Sequence, residues 1–193
     1  MTGDLEDLAF GVVLGFSLVV PPGPMNAWIA AASARSFRGG FVTGLGAMSA
    51  DALLGAVVYL LARAVDLAGV VRFVYLVGAG VMGYLGVRLV RSSVLDGGDL
   101  PVERRYLRAL AVGLSNPFQV VWWLTAGVAF AYLGGIVLLL GLFGAIGVWI
   151  VGFPWAIHAG ARTDARVAEG IRLASAGILI AFAVYFVVLF AVG

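Results

Sequence analysis

Residues 8–34 form an apolar run long enough to cross a bilayer, and near its middle stands Val20-Pro21-Pro22-Gly23-Pro24-Met25-Asn26. Proline donates no backbone hydrogen bond and its ring clashes with the preceding turn, so three prolines and a glycine here end any continuous helix. Hydrocarbon offers nothing to the N–H and C=O groups that such a break releases. Broken backbone at that depth persists only where protein shelters it or where it lines a watery cavity. Whatever this chain folds into must supply that shelter.

The composition fits a membrane setting: 63% hydrophobic, 11% charged, mean hydropathy +1.09. These values define an integral membrane protein. The absence of cysteine excludes disulfides, thiolate metal sites and thiol redox chemistry. At about 20 apolar residues per span, six spans are expected, at roughly 8–34, 41–62, 69–90, 107–131, 136–157 and 170–192. The expected fold is thus an all-α integral membrane protein with one transmembrane domain over residues 1–193. Met1 to Asp7 is acidic and lacks the positive region of a cleavable signal peptide, so the first helix is expected to stay. Every basic residue is arginine, and their placement sets orientation. Arg63 and Arg72 share a side with the amino terminus, against ten on the other side: Arg35, Arg38, Arg88, Arg91, Arg104, Arg105, Arg108, Arg162, Arg166 and Arg172. Both termini are therefore expected outside and the basic loops in the cytoplasm.

The polar connection from Ser92 to Arg105 divides the chain into two halves of three spans, about 8–90 and 107–192, joined by a cytoplasmic loop over 91–106. An odd number of spans per half makes repeated halves point opposite ways. The halves share one mark: Ser115-Asn116-Pro117 interrupts the fourth span as Pro21–Pro24 interrupts the first. Aligning Pro24 with Pro117 also aligns Asn26 with Gln119. Helical rise puts both breaks, and Asp51 in the second span, about 13–15 Å from the cytoplasmic ends of their helices. That is near the middle of a hydrocarbon layer of about 30 Å.

Pro24 and Pro117 each suit the first position of a new half-helix. Both amino ends would aim unpaired N–H groups and positive partial charge at the centre, favouring a carboxylate. The half-helices ending near Val20 and Ser115 would offer carbonyls to a cation, with Asn26, Asn116 and Gln119 as neutral partners. A zwitterion fits such a site, and a free amino acid is the expected ligand. Asp51 is the acid deep within a span, on a stripe with Gly44, Ala47, Met48 and Gly55 that faces protein. It reads as a proton carrier, as an acceptor for the substrate ammonium, or as a structural carboxylate capping a broken end.

Trp122 and Trp123 either wall a pocket or pack against lipid and core. Tyr84 lies in a glycine-rich third span suited to tight packing, and Pro154 bends span five as a gate or merely a kink. His158 reads as an interfacial residue rather than a ligand. Gly11-x-x-x-Gly15 fits either internal packing or a homodimer contact. No cofactor, metal site or nucleic-acid partner is expected.

Together these motifs resemble those of the LysE/RhtB amino-acid exporters. Pro22-Gly23-Pro24-Met25-Asn26 is similar to the signature of their first span. Arg38-Gly39-Gly40 through Gly44-Leu45-Gly46-Ala47 to Asp51 looks like the next block, Gly78-Ala79-Gly80 through Arg88 the end of the third span, and Leu114-Ser115-Asn116-Pro117 the Asn-Pro motif of the fourth. The motifs cover residues 10–130; beyond Tyr132 the likeness rests on hydropathy. The resemblance implies proton-driven efflux of amino acids or close derivatives across the plasma (inner) membrane by a secondary transporter. Many members carry a lysine after Asn-Pro where this chain has Phe118-Gln119, so no substrate is carried over from them. Two rivals remain in view. An intramembrane enzyme would need a second deep acid beside Asp51 or a serine partner for His158, and neither is visible. A cation or metal exporter of the same architecture would coordinate its ion with broken-helix carbonyls and one aspartate.

Overall fold

The computed structural model describes residues 2–21, 23–61, 101–124 and 135–192, together with positions 76–77, 79–81, 83–84, 86–87 and 90–91. Among them every regular element is a helix: α1 Thr2–Val19, α2 Pro24–Arg35, α3 Phe37–Leu61, α4 Val102–Leu114, α5 Pro117–Trp122, α6 Ile136–Ala161 and α7 Ala165–Val192. The scattered positions between 76 and 91 are helical as well. Among the described residues three helices, α3, α6 and α7, are long and apolar enough to cross a membrane, and the pair α1 and α2, bent by 77°, makes a fourth candidate if it is one span. Most of the expected third span, the end of the fourth, and Arg63, Arg72 and Arg88 lie outside the described residues.

α6 serves as a ruler for the other helices. Gly11 lies against the carbonyl of Leu138, Gly15 against Leu142 and Ala145, so α1 runs parallel to α6. Beyond the break α2, turned by 77° from α1, stays in contact with α6, with Asn26 bonded to Trp149 and the Ser33 carbonyl 3.0 Å from His158 Nδ1. The approach of α1 needs glycine: a methyl at Gly15 would stand 2.5 Å from the Leu142 oxygen. Gly11 and Gly15 thus serve internal packing and are not free for a second copy.

α3 runs antiparallel to α6, with Gly40 against Pro154 and Gly44 against Ile150. It runs parallel to α4 and α5: Gly46 meets Tyr106 and Ala109, Ala50 meets Gly113, and Gly55 meets Trp123. The Tyr106 hydroxyl donates to Ser49 Oγ at 2.9 Å along the same seam. In the third segment, Gly83 faces Ala183 and Gly86 faces Ile180, antiparallel to α7. A short turn joins α6 to α7, where Asp164 accepts from the Arg166 N–H at 2.8 Å and starts the last helix. Two larger apolar clusters, and a small one of Ala34, Ala161 and Ala168, form the interior of the described residues. One gathers Leu18, Trp123, Leu142 and Ile146, the other Met25, Ala47, Leu179 and Phe186.

Candidate functional site

Where the two clusters meet, a cavity of about 40 Å³ opens between the breaks. At about 10–15 Å³ per water, it holds about three or four waters. Pro21, Gly23, Pro24 and Asn26 line it from the first break, Asp51 from α3, and Asn116 and Gln119 from the second break. Pro22 lies outside the described residues. Pro117 is buried at the first turn of α5 without being a lining residue.

The first break is held by one side chain. α1 stops at Val19, and α2 begins with Pro24 in its first turn after an extended Gly23. Carbonyls at the end of α1 and in the bend would lack helical partners. Asn26 reaches back to fill that need, its Nδ2 donating to the Val19 carbonyl and, at 3.0 Å, to the Pro21 carbonyl. Its Oδ1 in turn accepts from Trp149 Nε1 at 3.1 Å. These carbonyls are therefore not free for a cation as the sequence suggested, because a neighbouring amide satisfies them. No side chain caps the amino end of α2, so its polarity is directed at the cavity.

The second break is handled from the other end. Asn116 Oδ1 accepts the Phe118 N–H at 3.2 Å, a side-chain cap on α5. Its Nδ2 donates to Gln119 Oε1 at 3.1 Å, and Gln119 Nε2 donates to Asp51 Oδ1 at 2.9 Å. Trp123 Nε1 donates to the same oxygen at 3.0 Å. The expected unpaired amino end of α5 is thus partly answered within its own chain. All four side chains of this network are at most 5% exposed. Trp123 fits behind Asp51 because residue 55 is glycine, where a methyl would stand 2.7 Å from the indole.

Both donors to Asp51 use Oδ1, leaving Oδ2 as the oxygen with no partner among the described residues. Among the described residues lining the cavity, Asp51 is also the one that is ionisable. The site therefore has one carboxylate oxygen on one side and an uncapped helix amino end on the other.

Neither Trp122 nor Trp123 lines the cavity: Trp123 buttresses Asp51, and Trp122 packs edge-on against it at 5.2 Å. The aromatic walls are Phe118 and Trp149, which the sequence did not single out. Trp149 stacks on Phe153 with centroids 4.9 Å apart. A tryptophan in mid-span, away from the interfaces where it is usual, was the available signal for it. His158 lies outside the cavity, its Nδ1 3.0 Å from the Ser33 carbonyl, where it ties α6 to the end of α2. Pro154 is buried beside Gly40 of α3, and Tyr84 is exposed, away from the cavity.

No curated protein and no solved structure matches this chain. A family model, the LysE type translocator, does match, over residues 16–192. The match runs well past residue 132, where recognisable motifs end, and takes in α6, which supplies Trp149 to the site. With most of its length matched, the chain is a member of the LysE type translocator family of membrane transporters.

Proposed function

We propose that the protein exports a free amino acid or a close derivative from the cytoplasm in exchange for protons. The observation that carries this reading is the meeting of both breaks and Asp51 at one cavity. The uncapped amino end of α2 suits the substrate carboxylate, and Asp51 Oδ2 suits its ammonium. A proton and an ammonium cannot both occupy that oxygen. Competition between them is enough to couple export to proton entry, with alternating access carrying Asp51 between the two sides. Asp51, Gln119 and Asn116 form the ammonium side. Gly23, Pro24 and Asn26, with Pro22 by motif, form the carboxylate side. Trp123 positions Asp51.

The architecture that goes with this is six spans in two inverted three-helix repeats within a single domain, with both termini outside. The helix directions support it: α1 runs with α6, and α3 runs against α6 but with α4. The two broken helices therefore run oppositely, as inversion requires. A divalent metal substrate is less well served. Among the described residues no three His, Asp or Glu side chains gather to hold one.

The test is export from proteoliposomes under an imposed pH gradient. Asp51→Asn should remove gradient-dependent export while the purified protein still melts cooperatively. Undiminished gradient dependence would overturn the coupling role. Stabilisation by monovalent cations instead of amino acids in a melting screen would favour the cation exporter.

A further inference from the structure

We infer that the end of α6 beyond Pro154 is a hinged arm, latched by His158 to the Ser33 carbonyl, that gates the path to Asp51 from the arginine-rich side. This rests on the alternating-access reading proposed above and names the moving part on one side. The lining that α2 gives the cavity ends at Ile29, and residues 30–34 beyond it are all buried. Ser33, 0% exposed, lies against Gly40 of α3, where an added methyl would overlap its hydroxyl. The same methyl would stand 3.0 Å from the Pro154 ring. One turn deeper, Gly44 lies against Ile150, which lines the cavity. Anything passing along this seam has to part α6 from α2 and α3. Ser36 alone separates α2 from α3, and its hydroxyl accepts the Gly39 N–H at 3.0 Å, so those two form a firm hairpin. The movable side of the seam is therefore α6.

Pro154 has no N–H for the Ile150 carbonyl, so the helix ladder lacks a rung at the cavity wall, and helices bend where a rung is missing. Past it, Trp155, Ala156 and Ala159 are exposed on one face of the arm. The other face is held by His158 and by Ala161, which packs with Ala34 and Ala168. Since α2 ends at Arg35, the Ser33 carbonyl lies in its last turn, with no donor further along the helix. A carbonyl only accepts, so His158 donates from Nδ1, as the neutral Nδ1–H tautomer and the imidazolium both can. Trp149 ties α6 to α2 at the break, and His158 ties it at the far end. Releasing the second opens the seam while the first still holds the break. Residues 30–34 are alanine or serine, so no long side chain of α2 has to be withdrawn as the arm swings.

Because the chain has no cysteine, a single introduced one reports the motion cleanly. Ser33→Cys, with Met48→Cys as a second reporter should the first pack poorly, is labelled by a membrane-impermeant maleimide in right-side-out and in inverted vesicles. His158→Ala should speed labelling from the arginine-rich side, in inverted vesicles, about 3-fold, the population shift that one interhelical hydrogen bond in a membrane supplies. His158→Asn, whose Nδ2 takes the place of Nδ1, should restore the slow rate. Pro154→Ala restores the missing rung and should slow labelling below that of the unaltered helix. Labelling that His158→Ala leaves unchanged at both reporters overturns the latch. Equal or faster labelling in Pro154→Ala overturns the hinge, and acceleration confined to right-side-out vesicles overturns the side assigned to the gate. If labelling answers as expected while none of the twenty amino acids is exported, the arm stands and the amino-acid reading falls.

Discussion

The two helix breaks carry the same punctuation and solve opposite halves of the same problem. At Pro21–Pro24 the freed acceptors are satisfied, by Asn26 reaching back to Val19 and Pro21, and the following amino end has no side-chain cap. At Ser115–Pro117 it is the donor end that is satisfied, by Asn116 capping Phe118, and the amide at the corresponding third position reaches across to an acid instead. Asn26 and Gln119 align in sequence yet differ in what they hold, one its own backbone and one Asp51 of another helix. Divergence at that third position gives two similar breaks different partners, backbone carbonyls at the first and a carboxylate at the second.

The comparison breaks first at Asn26. Asn26→Ala removes the donor shared by two carbonyls and the acceptor for Trp149, and buried groups left without partners cost about 1–3 kcal/mol each. Since cavity water can recover part of this, we expect roughly 2–4 kcal/mol of destabilisation, read from unfolding in mixed micelles. Asn116→Ala should cost less, about 1 kcal/mol, the usual loss for a helix cap. It also frees Gln119 to rotate, so export should fall further than that loss of stability explains. Equal costs for the two variants would mean that both breaks are held in the same way.

Some of this arrangement is visible in the sequence because its signals need no partner to be recognised. Proline inside an apolar run and an acid deep in a span are each costly alone, so Pro24, Pro117 and Asp51 stand out, and helical rise places them at one level. Commitments made by bonding are not visible in that way. Asn26 and Gln119 look interchangeable until the helices beside them are known, and which carbonyls remain free depends on those neighbours. The tryptophans show the same limit. Trp122 and Trp123 follow a break whose geometry sets their phase, so the indole that reaches Asp51 could not be chosen beforehand. Trp149 joins the site because α6 lies along the broken span, which hydropathy does not report.

The smallest expected effect is at Trp149, and it tests whether α6 belongs to the first break or merely lies beside it. Trp149→Phe keeps an aromatic ring to stack on Phe153 but removes the N–H donated to Asn26 Oδ1. Interhelical hydrogen bonds in membranes are worth about 0.6 kcal/mol on average, and the vacated oxygen faces a cavity that admits water, so a loss near that value is expected. A double-mutant cycle gives the sharper result. If Trp149 acts through Asn26, adding Trp149→Phe to Asn26→Ala should cost almost nothing more, since the partner is already gone. Additive losses would mean that the indole stabilises α6 by packing alone. The clamp at the first break would then be confined to its own segment, self-contained where the second break depends on Asp51 of α3.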